Sequence, residues 1–136
     1  MVDPTEMPNN LSRKPGATEA QISKLSQLFE GRPPSDYIAF LQRSNGAEGP
    51  LGSEAYLAIW PADQVSELNK AYAVDEFAPG LVLFGTDGGN TGYAFDTSKE
   101  LHVVEVPLVG MDLNEARPIA PTFTGFLDAL EKRKGD

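Results

Sequence analysis

Three apolar runs stand close together in the second half of the chain: "LVLFG" (81–85), "TGYAF" (91–95) and "LHVVEV" (101–106). They are rich in β-branched and aromatic residues, the types that suit a pleated, half-buried surface. The breaks between them, "TDGGN" and "DTSKE", are five residues each. A parallel pair needs a crossover of a dozen residues or more. The spacing therefore predicts an antiparallel meander, and the rest of the chain has to pack against it.

What remains is mostly helical. In "ATEAQISKLSQLFEG", Thr18 and Gln21 form a capping-box pattern and Ile22, Leu25, Leu28 and Phe29 recur at helical spacing. Gly31 and "RPP" end this helix. Ser35 or Asp36 caps a second one, with Tyr37, Ile38, Phe40 and Leu41 on its apolar face, and Asn45-Gly46 is expected to stop it in a left-handed C-cap. "AYLAIW" (55–60) reads as a strand. "ADQVSELNKAYAV" sets Val65, Leu68 and Tyr72 on one helix face, with Asp63 as its expected cap. In "TFTGFLDALEKRK", Phe123, Phe126, Leu127 and Leu130 are spaced i, i+3, i+4, i+7 after Thr122. The expected order is α-α-β-α-β-β-β-α, an α+β fold with helices packed on a mainly antiparallel sheet. Residues 1–16 lack apolar periodicity and are expected to form a flexible arm before one domain over 17–134.

The residue inventory removes several chemistries. The chain has no cysteine and one histidine. Thiol nucleophiles, disulfides, thiolate metal sites and any site needing two imidazoles are excluded. No apolar run approaches the roughly 20 residues of a membrane span, and the N-terminal stretch has no apolar core of a secretory signal. A cytoplasmic location is expected. The formal net charge of −9 is uneven: residues 44–116 hold 12 acidic and 2 basic side chains. Such a segment repels nucleic acid and anionic membrane and attracts basic partners, although solubility alone also accounts for it.

"GTDGGNTG" (85–92) is the most conspicuous motif. It is no phosphate-binding Walker loop, because Tyr93 stands where a lysine must follow the last glycine. It is no dinucleotide fingerprint, because a strand follows it. It lacks the acid spacing and closing glutamate of a calcium loop. A tight turn between strands, with "DGGN" supplying residues that accept positive φ, is the simpler reading; a ligand role beside a cleft, where Gly88 and Gly89 let another backbone approach closely, is the other. His102, with Asp96 and Glu105 near it in sequence, lacks a nucleophile elbow and reads as a packing residue. Trp60 and Tyr56 are amphipathic aromatics suited either to core packing or to anchoring a partner. Glu48, Glu54, Asp63, Asp75, Glu76 and Asp87 are solvated charges whose clustering favours a basic partner. No catalytic, metal or cofactor constellation is expected.

Taken in order, the segments resemble the SMI1/KNR4 (SUKH) superfamily over residues 18–131. The family's helical corner has a proline, Asp-Tyr, an aromatic-Leu pair and Asn-Gly, matched by Pro34, Asp36, Tyr37, Phe40, Leu41, Asn45 and Gly46. An Asn-bearing helix follows, matched by Asn69, then Gly-x-Asp-Gly-Gly, matched by Gly85, Asp87, Gly88 and Gly89. The last helix opens with Thr-Phe and holds a Phe-Leu pair, matched by Thr122, Phe123, Phe126 and Leu127. "RPP" replaces the family's "LP", and Asn90 replaces a third glycine. The resemblance implies an α+β fold without catalytic apparatus. For bacterial members it implies immunity proteins that bind and neutralise polymorphic toxins, often nucleases. Three functions stay open: a toxin-neutralising binder, a general cytoplasmic interaction module, and a small-ligand binder or hydrolase using the Gly-rich loop with Asp87, His102 and Asp96.

Overall fold

The computed structural model describes residues 14–51 and 55–132. The elements run α1 (Glu19–Ser26), α2 (Ser35–Arg43), β1 (Ala47–Leu51), β2 (Ala55–Ile59), α3 (Ala62–Ala71), α4 (Val74–Phe77), β3 (Leu81–Thr86), β4 (Thr91–Asp96), β5 (His102–Pro107), β6 (Arg117–Ala120) and α5 (Phe123–Glu131). The six strands form one sheet in sequence order, every neighbouring pair antiparallel. The α+β fold and the meander of β3, β4 and β5 agree with the sequence expectation.

Two strands are additional to that expectation, and they are the two edges. β1 reads "AEGPL" and β6 reads "RPIA". Each carries a proline, Pro50 and Pro118, which cannot donate to a ladder and so belongs on an edge. Poor intrinsic strand formers are held there by pairing to β2 and β5. The same prolines blunt the edges against further strand addition.

The sheet is buried on both faces along its middle. Val82, Phe84, Tyr93, Phe95 and Val103 face a core shared with α1, α2 and α5. Leu81, Leu83, Ala94, Val104 and Val106 face a second core with Val74, Ala78 and Met111. This explains why "LVLF" is apolar without alternation. The first core is strongly aromatic. Tyr37, Phe40, Phe84, Phe95, Phe123 and Phe126 are fully buried with Leu41 and Leu127, and Tyr37 meets Phe84, Phe95 and Phe123 with ring centroids 4.9–5.6 Å apart. The aromatic and leucine family-signature residues of α2 and α5 are therefore core residues.

Local capping follows the sequence in part. Thr18 and Gln21 form the reciprocal capping box of α1, and Thr122 Oγ1 accepts from the Gly125 N–H at 2.9 Å to start α5. Asp36 ties two helices together: its Oδ2 accepts from the N–H and Oγ1 of Thr124, at 2.9 and 3.0 Å. The Asn45-Gly46 pair departs from expectation. α2 ends at Ser44 in extended conformation, not in a left-handed cap. Gly46 alone takes positive φ, at +95°. Asn45 acts through its side chain, whose Oδ1 accepts from the Ala62 N–H at 2.6 Å and so caps α3 in place of the expected Asp63. Residues 14–16, placed in the arm by sequence, run along the end of α2. The Lys14 N–H donates to Ser44 Oγ and the Asn45 N–H to the Pro15 carbonyl, both at 2.9 Å.

Candidate functional site

The Gly-rich segment is the turn between β3 and β4. Thr86 faces Gly92 in the ladder, and the Asp87 N–H donates to the Thr91 carbonyl at 3.0 Å. Asp87 closes the turn from inside, its Oδ1 accepting from the N–H groups of Gly89 (2.8 Å) and Thr91 (3.2 Å). Asn90 ties the turn to the chain after β5: its Oδ1 accepts from the Val109 N–H at 2.8 Å. Two glycines here are required by geometry. A Cβ on Gly85 would lie 2.4 Å from the Ala58 carbonyl oxygen, so no larger residue lets β2 reach β3. Gly88 has φ +84°, and its face is covered by Tyr56, whose Cδ1 would stand 3.0 Å from a Cβ.

That contact assembles the first group of sequence candidates. Tyr56 projects from β2 and is 39% exposed. Its hydroxyl donates to Glu48 Oε2 on β1 at 2.6 Å. This hydrogen bond raises the phenol's pKa above its usual value, with burial and the Glu48 charge adding in the same direction. Tyr56, Glu48 and the turn holding Asp87, Gly88 and Gly89 thus share one patch of surface.

The remaining candidates lie elsewhere. Asp63 stands in the first turn of α3, where the Asn45 Nδ2 approaches its Oδ1 at 3.4 Å. Trp60 follows β2 and is half-buried between the two cores, its ring stacked parallel to Tyr72 at 6.2 Å. Asp75 and Glu76 are exposed on α4, beside a cleft of about 390 Å³ that also involves Leu28, Ser66, Asn69, Lys70, Ala73, Leu81 and Val82. Sequence reasoning missed this cleft. Ser66, Asn69 and Lys70 are spaced i, i+3, i+4, a polar face of α3, which is the signal that marks it. Glu54 lies outside the described residues.

Asp87, His102 and Asp96 do not converge. Asp87 is in the turn before β4 and Asp96 ends β4, so the length of the strand, about 17 Å, separates them. His102 faces Asp96 across the β4–β5 hairpin. Both border a smaller cleft of about 290 Å³ with Ser98 and Lys99. The connectivity there is not that of a nucleophile and base: the Ser98 hydroxyl donates directly to Asp96 Oδ1 at 2.6 Å, and the Ser98 N–H donates to the same oxygen at 3.0 Å. A triad requires the histidine between them. Among the described residues no group of three His, Cys, Asp or Glu side chains is placed to hold a metal ion, and no helix is long and apolar enough to cross a membrane.

The model of the SMI1 / KNR4 family (SUKH-1) matches residues 16–129. No curated protein shows a significant match.

Proposed function

Because the chain belongs to the SMI1/KNR4 family (SUKH-1), a family known for immunity-protein-like and generally non-catalytic domains, we propose that it is a non-enzymatic binding protein that neutralises a basic toxin of the nuclease type. The observation that carries this reading is charge. Residues 44–116 hold 12 acidic and 2 basic side chains, and that segment contributes the exposed Asp63, Asp75 and Glu76 together with the Glu48–Tyr56 pair. A nucleic-acid-cleaving protein presents a positive surface to its substrate's phosphates. An acidic inhibitor competes for that surface and is steered to it. Tyr56, on its glycine platform, and Trp60 supply apolar area for anchoring, because affinity rests on a few desolvated side chains more than on rim charges. The reading implies a cytoplasmic location, the compartment where such a toxin would otherwise reach nucleic acid.

The test uses the product of the gene adjacent to this chain's own as partner. Its association rate constant with the protein should fall as salt rises through and beyond about 0.15 M, where the screening length drops below roughly 8 Å. Reversing Glu48, Asp75 and Glu76 to lysine together should slow association at least tenfold without changing the circular dichroism spectrum. Association that ignores both salt and charge reversal removes the electrostatic basis of the reading.

A further inference from the structure

The cleft between α3, α4 and the start of β3 has a composition that neither the solubility of the chain nor its core requires. Its floor is apolar: Leu81 and Val82 are nearly fully buried, and Leu28, half-buried, reaches in from the turn after α1. Its rim carries Asp75 and Glu76, both exposed, with no hydrogen bond or ion pair at either carboxylate among the described residues. Phe77, next on the same turn, is 49% exposed. The turn is held in this pose by Ala73, which joins α3 to α4 at φ +53°, a conformation unfavourable for a residue with a Cβ. Asn69 closes the inner wall, its amide fully engaged with the backbone of Val65 and Leu83. The volume of about 390 Å³ admits more than one side chain and is at the lower end of the range of ligand pockets.

We infer that this cleft receives a protruding basic and aliphatic segment of the protein partner, with an arginine or lysine stem lying along Leu28, Leu81 and Val82 and its cationic head between Asp75 and Glu76. The inference rests on the protein-binding reading above and names the site where it acts. The chemistry fits a long basic side chain because only such a chain offers an apolar stem and a charged end together. Two unpaired carboxylates attract a cation, while an apolar floor gains nothing from a small inorganic ion. Lys70 on the facing helix excludes a second cation there and offers donors to carbonyl groups of the same segment.

The test titrates the full-length, isotope-labelled protein with a blocked tetrapeptide alternating leucine and arginine, and with its leucine–glutamate counterpart, following backbone amide shifts. Saturable shifts confined to residues 66–82 and Leu28, seen with the arginine peptide only, are expected. Ser66→Trp, which fills the cleft from α3, and Asp75→Lys with Glu76→Lys should each weaken binding at least tenfold, with melting temperature confirming the fold. Glu131→Lys, at the exposed end of α5, should leave peptide binding unchanged. Absence of saturable binding, shifts centred on Glu48 and Tyr56, or equal binding by Ser66→Trp would each overturn the inference. If the adjacent-gene product still binds the Ser66→Trp protein with wild-type affinity, the cleft is not the site although the protein-binding reading survives.

Discussion

The hydroxyl of Tyr37 is fully buried and has no hydrogen-bond partner among the described residues. Leaving a buried donor unpaired costs about 1–3 kcal/mol, so this residue is retained in the aromatic core at the expense of stability. Tyr37→Phe should raise the unfolding free energy by about 1 kcal/mol in urea denaturation at neutral pH. Burial also pushes the phenol's pKa far above its usual value of about 10. A raised folded-state pKa gives a contribution that is complete below the unfolded value and declines as pH rises past it, because the unfolded chain releases a proton that the folded chain keeps. Wild type should therefore fall further behind Tyr37→Phe between about pH 10 and 11 than at pH 7, and a gap independent of pH would contradict this. Phe126 is the opposite case, a large ring in contact with Phe84 and Tyr93 at 5.3 and 4.9 Å. Phe126→Ala should cost about 3–5 kcal/mol in the same assay, and a loss below about 1 kcal/mol would mean that the ring leaves no real cavity. Helical spacing alone located Phe126 and Tyr37 in the core. It said nothing of the unpaired hydroxyl, because periodicity reports which face a side chain takes and not which atoms it finds there.

Asn69 shows how an element is placed by one side chain. β2 pairs with β3 only at Ala58–Thr86 and Ile59–Gly85. Beyond that point the backbone of Leu83 would face no strand, and the ladder to β4 is shifted between Leu83 and Gly85. The Asn69 amide fills the gap from α3, its Nδ2 donating to the Leu83 carbonyl and its Oδ1 accepting from the Leu83 N–H, both at 2.9 Å. Asn69→Ala leaves two buried backbone groups unpaired and should lower stability by about 2–4 kcal/mol, more than an ordinary exposed helix substitution. Amide exchange should quicken at Leu83 first, and protection of that amide equal to wild type would refute the role. The central elements were legible in the sequence because their signals are local: β-branched runs with short breaks, and apolar residues at helical spacing. β1 and β6 were not, because "AEGPL" and "RPIA" become strands only through the partners they meet. Asn45 was read as a helix stop for the same reason: its target, the N–H of Ala62, is 17 residues away. The candidate site divides in the same way. Glu48, Tyr56, Gly88 and Asp87 could be named as types suited to a surface, but their meeting depends on the register of β1, β2 and β3, which no local pattern encodes.

At the scale of the molecule, one sheet joins two proline-blunted edges and a buried middle in a chain with an acidic surface. The scaffold has no arrangement of nucleophile and base at the Asp96–Ser98–His102 cleft, and its Gly-rich turn spends Asp87 on its own backbone. Calorimetric titration with calcium or ATP should accordingly show no binding at micromolar concentrations, and a signal lost in Asp87→Ala would restore a ligand role to the turn. Edges that resist strand addition leave side-chain surfaces for a partner, and the Tyr56 patch and the α3–α4 cleft are the two proposed ones. These features fit the proposed role of covering another protein. The most direct measurement is growth of cells expressing the adjacent-gene product, alone and together with this chain, combined with co-purification of the two proteins. The proposed toxin-binding role predicts growth arrest by the partner alone, rescue by the wild-type chain with recovery of a stable complex, and weakened rescue by the variant reversed at Glu48, Asp75 and Glu76. Continued arrest in the presence of the well-folded wild-type chain, with no complex recovered, would contradict it.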